Sequence, residues 1–191
     1  MTLSETLRQL GITLDGGGLS EIMIKFNTML AINIAIVYNW PSSNLASTAV
    51  SFVKDMTGCQ SVVHFALVYQ FILFFHISMG YIIAMTSTRK DGYNNSEPRT
   101  MTADSPMLRR VKATAENTME NMVIFLVAVV VMMGSLSLSD DRYADIEKWG
   151  VLFMMARTLY VPCYIFDLDI FRTFTFMVGS FSCVAIMMVS V

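Results

Sequence analysis

Apolar residues run almost without interruption over residues 62–84, 122–138, 151–166 and 174–191, and polar and charged residues gather between these runs. Each run extends by a turn into its polar flank. At ~1.5 Å per residue, 18 helical residues cover about 27 Å, close to the ~30 Å hydrocarbon core of a bilayer, so the pattern predicts four spanning helices. Helices are required there, because lipid offers no hydrogen bonds to an open sheet edge. A fifth run, 22–40, is interrupted by Lys25, Asn27, Asn33 and Asn39 and ends at Trp40 and Pro41. It predicts a helix that either spans or lies in the headgroup region, where Lys25 and Trp40 suit the role of anchors. The 21 mostly polar residues before it, with Gly16, Gly17 and Gly18, do not resemble a cleaved leader. The predicted architecture is all-α: an integral membrane four-helix bundle protomer over 62–191, preceded by an N-terminal extension, 1–61, with an additional apolar helix.

Composition agrees with a bilayer protein. Hydrophobic residues make up 54% of the chain and charged residues 15%, where soluble domains carry about a quarter charged. No charge falls within 173–191, and Arg157 is the only one within 149–166. A net charge of -2, with no basic block beyond one loop, excludes an electrostatic nucleic-acid binder. Three cysteines, Cys59, Cys163 and Cys183, do not make a disulfide framework, and the two histidines, His64 and His76, offer no metal-ligand spacing. Orientation follows from the loops. Arg89, Lys90, Arg99, Arg109, Arg110 and Lys112 lie between the first and second runs, which predicts that this segment is cytoplasmic. The acidic loop read over residues 140–148 then lies on the opposite face.

Several polar groups stand where the bilayer makes them costly. Arg110, Asn117 and Glu120 fall within about 80° of one another on one helix, a stripe expected to face protein. Arg157 sits near the middle of the third run, where an arginine costs ~2.5–3.5 kcal/mol on insertion scales. Tyr160 and Tyr164 follow on the same face, and Glu120 or Glu116 is the expected counter-charge. Arg172, followed by Thr173, opens the last helix and adds positive charge where the macrodipole is already positive, a combination that attracts an anion or a thiolate. A solvated collar and a structural salt bridge account for the same residues without a ligand. Read together, the groups predict a cytoplasm-facing pocket for a small zwitterionic or polyanionic ligand. The aromatic and Met-rich surroundings, with 17 methionines overall, suit an apolar co-substrate from the bilayer.

The run Arg110, Lys112, Asn117, Glu120, Asn121, followed by an apolar helix and then by Arg157, Tyr160, Pro162 and Tyr164, resembles the MAPEG family, membrane-associated proteins in eicosanoid and glutathione metabolism. The resemblance covers the last ~130 residues and leaves the first 61 outside. It implies a homotrimer that binds glutathione as co-substrate, without a metal, on the cytoplasmic side of each subunit interface. Arg110, Asn117, Glu120, Arg157, Tyr160 and Tyr164 would contact the tripeptide. Arg172 would hold the thiolate, beside Thr173 where a serine is often found, and Tyr160 and Tyr164 are the other catalytic candidates. The family more often has arginine four residues before the asparagine, where this chain has Ala113, and some members have tyrosine at Phe176. The implied activity is that of a glutathione transferase or peroxidase acting on lipophilic electrophiles or lipid hydroperoxides, in the endoplasmic reticulum or another endomembrane. A non-catalytic lipid-binding or scaffold member, or an accessory subunit of a membrane complex, is the alternative.

Overall fold

The computed structural model describes residues 19–88, 105–135 and 138–190. Arg89, Lys90 and Arg99 of the basic segment lie outside the described residues, as do the three glycines near the N-terminus. The elements are α1 (Leu19–Asn39), a 3-10 turn (Trp40–Ser42), α2 (Asn44–Thr57), α3 (Val62–Thr88), α4 (Pro106–Gly134), α5 (Asp140–Ile165) and α6 (Asp169–Ser190), with no strand among the described residues. Helices α3 to α6 form the four-helix bundle, in which α5 packs against all three others and most closely on α6. The Phe125 and Phe153 rings stack at 4.1 Å between α4 and α5. Gly150 lets α5 approach Val63 of α3, where an added Cβ would stand 3.4 Å from the valine side chain.

Helices α3, α4 and α6 are each long and apolar enough to cross a membrane, and they carry exposed apolar side chains such as Phe71, Phe75, Val127 and Val130. That outward apolar surface marks a protein embedded in lipid. Helix α5 does not reach the same hydropathy, because it begins with Asp140 and Asp141 and contains Glu147, Lys148 and Arg157. It is instead enclosed, with Trp149 to Met154, Ala156, Arg157 and Tyr160 all buried among its neighbours.

Three features differ from the sequence expectation. Residues 140–148 are not a loop but the first turns of α5: Ser139 caps the helix by accepting from Arg142 N, and two aspartates follow where the dipole favours them. Helix α4 stops at Gly134, short of 138, and starts at Pro106 under a Ser105 cap that accepts from Leu108 N at 3.1 Å. Helix α2 was not expected at all. Ser43 caps its start, and Gly58, at a φ of 65°, closes its end with its N–H on Lys54 O. Ala46, Ala49, Val50 and Val53 face the core, while Leu45, Phe52 and Met56 point outward, the pattern of a helix resting at a membrane interface.

The extension is fastened to the bundle by its ends. Helix α1 runs alongside α6 for its length, with Ile24 and Met29 near Ile170 and Phe174, and Ile34 and Val37 near Phe181 and Val189. Pro41 has no N–H to give the Val37 carbonyl, and Trp149 Nε1 donates to it at 2.9 Å. Trp40 Nε1 returns the link, donating to Lys148 O at 2.7 Å. Glu147, 4% exposed, accepts from Lys54 Nζ at 2.7 Å and from Val62 N at 3.2 Å, so one carboxylate holds α2 and caps α3. Glu147→Ala is expected to cost about 2–3 kcal/mol, the worth of charge-assisted bonds to buried groups, while Glu147→Gln, which keeps an acceptor for Val62, should cost less than half of that. Thermal unfolding in detergent measures both; equal losses would show that the charge, not the cap, matters.

Candidate functional site

Of the expected site residues, Arg157, Tyr160, Tyr164 and Arg172 come together toward the end of the bundle where α5 turns into α6, and Arg110 reaches that turn. Phe166, Asp167 and Leu168 make that turn: Asp167 N donates to Tyr164 O, Leu168 N donates to Cys163 O, and Asp167 takes the left-handed conformation at φ 62°. Arg110 of α4 completes the cap, with Nε donating to Ile165 O at 3.1 Å and Nη1 reaching Asp167 Oδ2 at 3.3 Å. Its guanidinium therefore locks α4 to the α5–α6 turn.

Above this cap two tyrosine rings stand between two arginines. The Arg157 guanidinium lies 4.1 Å from the Tyr160 ring centroid, Tyr160 stands 5.5 Å from Tyr164, and the Arg172 guanidinium lies 4.7 Å from the Tyr164 ring. Phe176 extends the aromatic wall 6.3 Å from Tyr160. The spacing explains the ladder: 157, 160 and 164 share one face of α5, and the tight turn folds α6 back so that 172 and 176 meet that face. Arg172 is half-buried and pairs with the exposed Asp169 at 2.8 Å. Arg157 is fully buried beneath Tyr160, itself 2% exposed, and Gly179 leaves room for the arginine stem.

The expected pairing of Arg157 with Glu120 is absent. Arg157 Nη2 reaches Thr118 Oγ1 at 3.4 Å, and its Nε and Nη1 have no hydrogen-bond partner. Geometry explains the difference. The buried stripe of α4 contains Thr114, Thr118, Asn121, Phe125 and Ala128, and at 100° per residue Glu120 lies about 120° round from its centre. Glu120 is accordingly exposed. Arg110 and Asn117 stand at the margin of the stripe, half-buried, with Asn117 Nδ2 donating to Ala113 O. Thr173 is not part of the ladder: its hydroxyl donates to Asp169 O, and it lines the seam between α1 and α6.

The structure adds residues to the site that sequence reasoning did not select. Gln70 of α3 is fully buried and donates from Nε2 to Thr118 O at 3.0 Å, while its Oε1 and the Oδ1 of buried Asn121 have no partner. An amide in the middle of the otherwise apolar run 62–84 was the available signal. Orphaned donors of Arg157 and orphaned acceptors on two neighbouring helices make the bundle interior polar around Thr118, and such groups ordinarily find a ligand or water.

The MAPEG family model matches residues 65–191, a stretch that takes in the whole ladder, Gln70 and the polar stripe of α4. No curated protein and no solved structure matches the chain. With two thirds of its length matched, and with helices built to cross a bilayer, the chain belongs to the MAPEG family.

Proposed function

We propose that the protein is a membrane-bound glutathione transferase or peroxidase whose acceptor is a lipophilic electrophile or lipid hydroperoxide arriving from the bilayer. Arg157 carries this reading. A guanidinium enclosed in an apolar bundle, with two nitrogens unpartnered and no carboxylate beside it among the described residues, is costly to keep and is compensated by an anionic ligand. In this proposal a glutathione carboxylate displaces the Tyr160 ring and pairs with Arg157. The half-buried Arg172, at the start of α6, holds the sulfur with Tyr164 beneath it. The protein's task is ionisation, since a free thiol, with a pKa of about 8.5, is mostly protonated at neutral pH. The thiolate then attacks an electrophilic carbon, forming the C–S bond as the leaving group departs with its electron pair. With a hydroperoxide it attacks the terminal oxygen, forming an S–O bond as the O–O bond breaks, and the alkoxide takes a proton; a second glutathione thiolate then attacks that sulfur, forming the disulfide as the S–O bond breaks and the hydroxide leaves as water.

The functional unit in this reading is a closed homotrimer with its sites on the cytoplasmic side. Asn117 and Glu120, on the margin and outer face of α4, bring the neighbouring copy's amide and carboxylate to the ligand's amine. Native mass spectrometry in detergent is expected to give three times the protomer mass; monomer at every concentration overturns the assembly.

The test of the activity is ultraviolet thiolate absorbance of glutathione on the purified protein, followed against pH. The wild type is expected to ionise the thiol at neutral pH. Arg172→Ala should bind glutathione yet lose about tenfold in thiolate at pH 7, with stability nearly kept because Asp169 remains in water. If Arg172→Ala ionises the thiol normally, Tyr160 or Tyr164 holds the sulfur. If the wild type neither binds nor ionises glutathione, the non-catalytic, lipid-binding reading replaces this one.

A further inference from the structure

Helix α1 precedes the family match, and its seam with α6 creates a groove at the end of the bundle remote from the arginine–tyrosine ladder. The groove has a volume of about 920 Å³ and is open at the surface. Its walls are apolar, formed by Ile34, Val37, Phe181, Val184 and Met188. Ile34 to Ser42 on one side and Phe181 to Val189 on the other each advance about 12 Å, somewhat under half of the ~30 Å hydrocarbon thickness, so the groove is one leaflet deep. Ile34, Tyr38, Val184 and Met188 of its lining are exposed, and α6 is apolar enough to cross a membrane, so the groove suits the acyl chains that are the abundant apolar molecules there.

The mouth supplies what an acyl chain alone does not need. Lys148 Nζ and Asp145 Oδ1 stand 3.0 Å apart at the polar end of the groove, 20% and 42% exposed. Trp40, bonded to the Lys148 carbonyl, fixes that turn of α5. A fixed pair of opposite charges at headgroup level is complementary to a zwitterion, with phosphate toward Lys148 and ammonium toward Asp145. An anionic headgroup would gain the first contact and be repelled by the second, and a sterol would use neither. The companion groove at the other end of the same seam, about 770 Å³, has Asp169 in its lining, but the cation paired with that carboxylate, Arg172, stacks on the Tyr164 ring and does not line the groove. Of the two grooves, the first carries both charges in its lining.

We propose that this groove binds one zwitterionic glycerophospholipid from the leaflet opposite the ladder, its chains between α1 and α6 and its headgroup over Asp145 and Lys148. The site is independent of the glutathione reading, since no ladder residue lines it.

The test places the full chain in phosphatidylcholine nanodiscs doped with a phosphatidylcholine that carries a photoactivatable group midway along its chain, and maps the adducts by mass spectrometry. Adducts are expected to concentrate on residues 34–42 and 181–189. Val184→Trp, which fills the groove from a position already 42% exposed, should lower them at least fivefold while labelling on the outer faces of α3 and α4 stays unchanged. Lys148→Gln should lower them about threefold, and the same photophore on phosphatidylglycerol should label the wild-type groove about threefold less. Should Val184→Trp fail to fold, the headgroup comparison on the wild type still decides. Adducts spread as densely over α3 and α4 as over the groove, equal labelling by phosphatidylglycerol, or cross-links from the groove to a second copy of the chain would each overturn the proposal.

Discussion

Replacing Arg157 by methionine is expected to stabilise the ligand-free protein while abolishing its glutathione binding. Methionine fills the space of the arginine stem beside Gly179 without bringing a charge into the bundle. The interactions lost are one stacked ring, Tyr160, and one long hydrogen bond to Thr118, worth about 1–2 kcal/mol together. The cost removed is larger, because a buried charge without a counter-charge is expensive, and well-packed apolar replacements of buried ionic groups often gain 1–4 kcal/mol. A rise in unfolding temperature in detergent is therefore expected. Calorimetry should show glutathione affinity falling on the order of 30-fold or more, as when one member of a buried charge contact is removed. A fall in unfolding temperature would instead reveal a carboxylate that pairs with Arg157 in the assembled protein, and the residue's role would be structural.

Phe153→Ala should be the most destabilising single truncation in the bundle. Phe153 is fully buried, stacks on Phe125, and touches the α6 backbone region at Gly179. In a water-soluble core such a change costs ~3–5 kcal/mol, part of it from the lost transfer of the ring out of water. Between helices already inserted in lipid that part vanishes, because the alternative environment is as apolar as the core. The cavity remains, so about 2–3 kcal/mol is expected, read as a lowered unfolding temperature. Phe153 lies one turn before Arg157 on α5, and the same variant should loosen the ladder and weaken glutathione binding. Unfolding unchanged within error would contradict the packing account.

The four bundle helices were legible because a bilayer imposes a length on apolar runs, and α3 and α6 obey that rule with little polar interruption. The same rule hid α2, which is too short to span and keeps apolar residues on both faces. It also hid the start of α5, where charges suggested a loop although Ser139 and two aspartates form a helix start. The ladder was legible in part: Arg157, Tyr160 and Tyr164 follow from spacing on one helix, but the arrival of Arg172 depends on the left-handed Asp167 turn. The Glu120 counter-charge failed because composition shows which charges exist, whereas the inward face of α4 is set by Thr118, Asn121 and Phe125 together. Gln70 stands on a different helix, and only packing brings its amide to Thr118.

The Val37 carbonyl, left open by Pro41 and taken up by Trp149, has a consequence for biogenesis. Helix α1 is made before the bundle, yet its hydrogen-bond donor is on α5 and its packing surface is α6, more than 100 residues later in the chain. Until the last hairpin is made, α1 has neither the donor for that carbonyl nor the helix it packs on. The seam between α1 and α6 therefore cannot close earlier, and a chain halted before residue 149 carries an undocked helix.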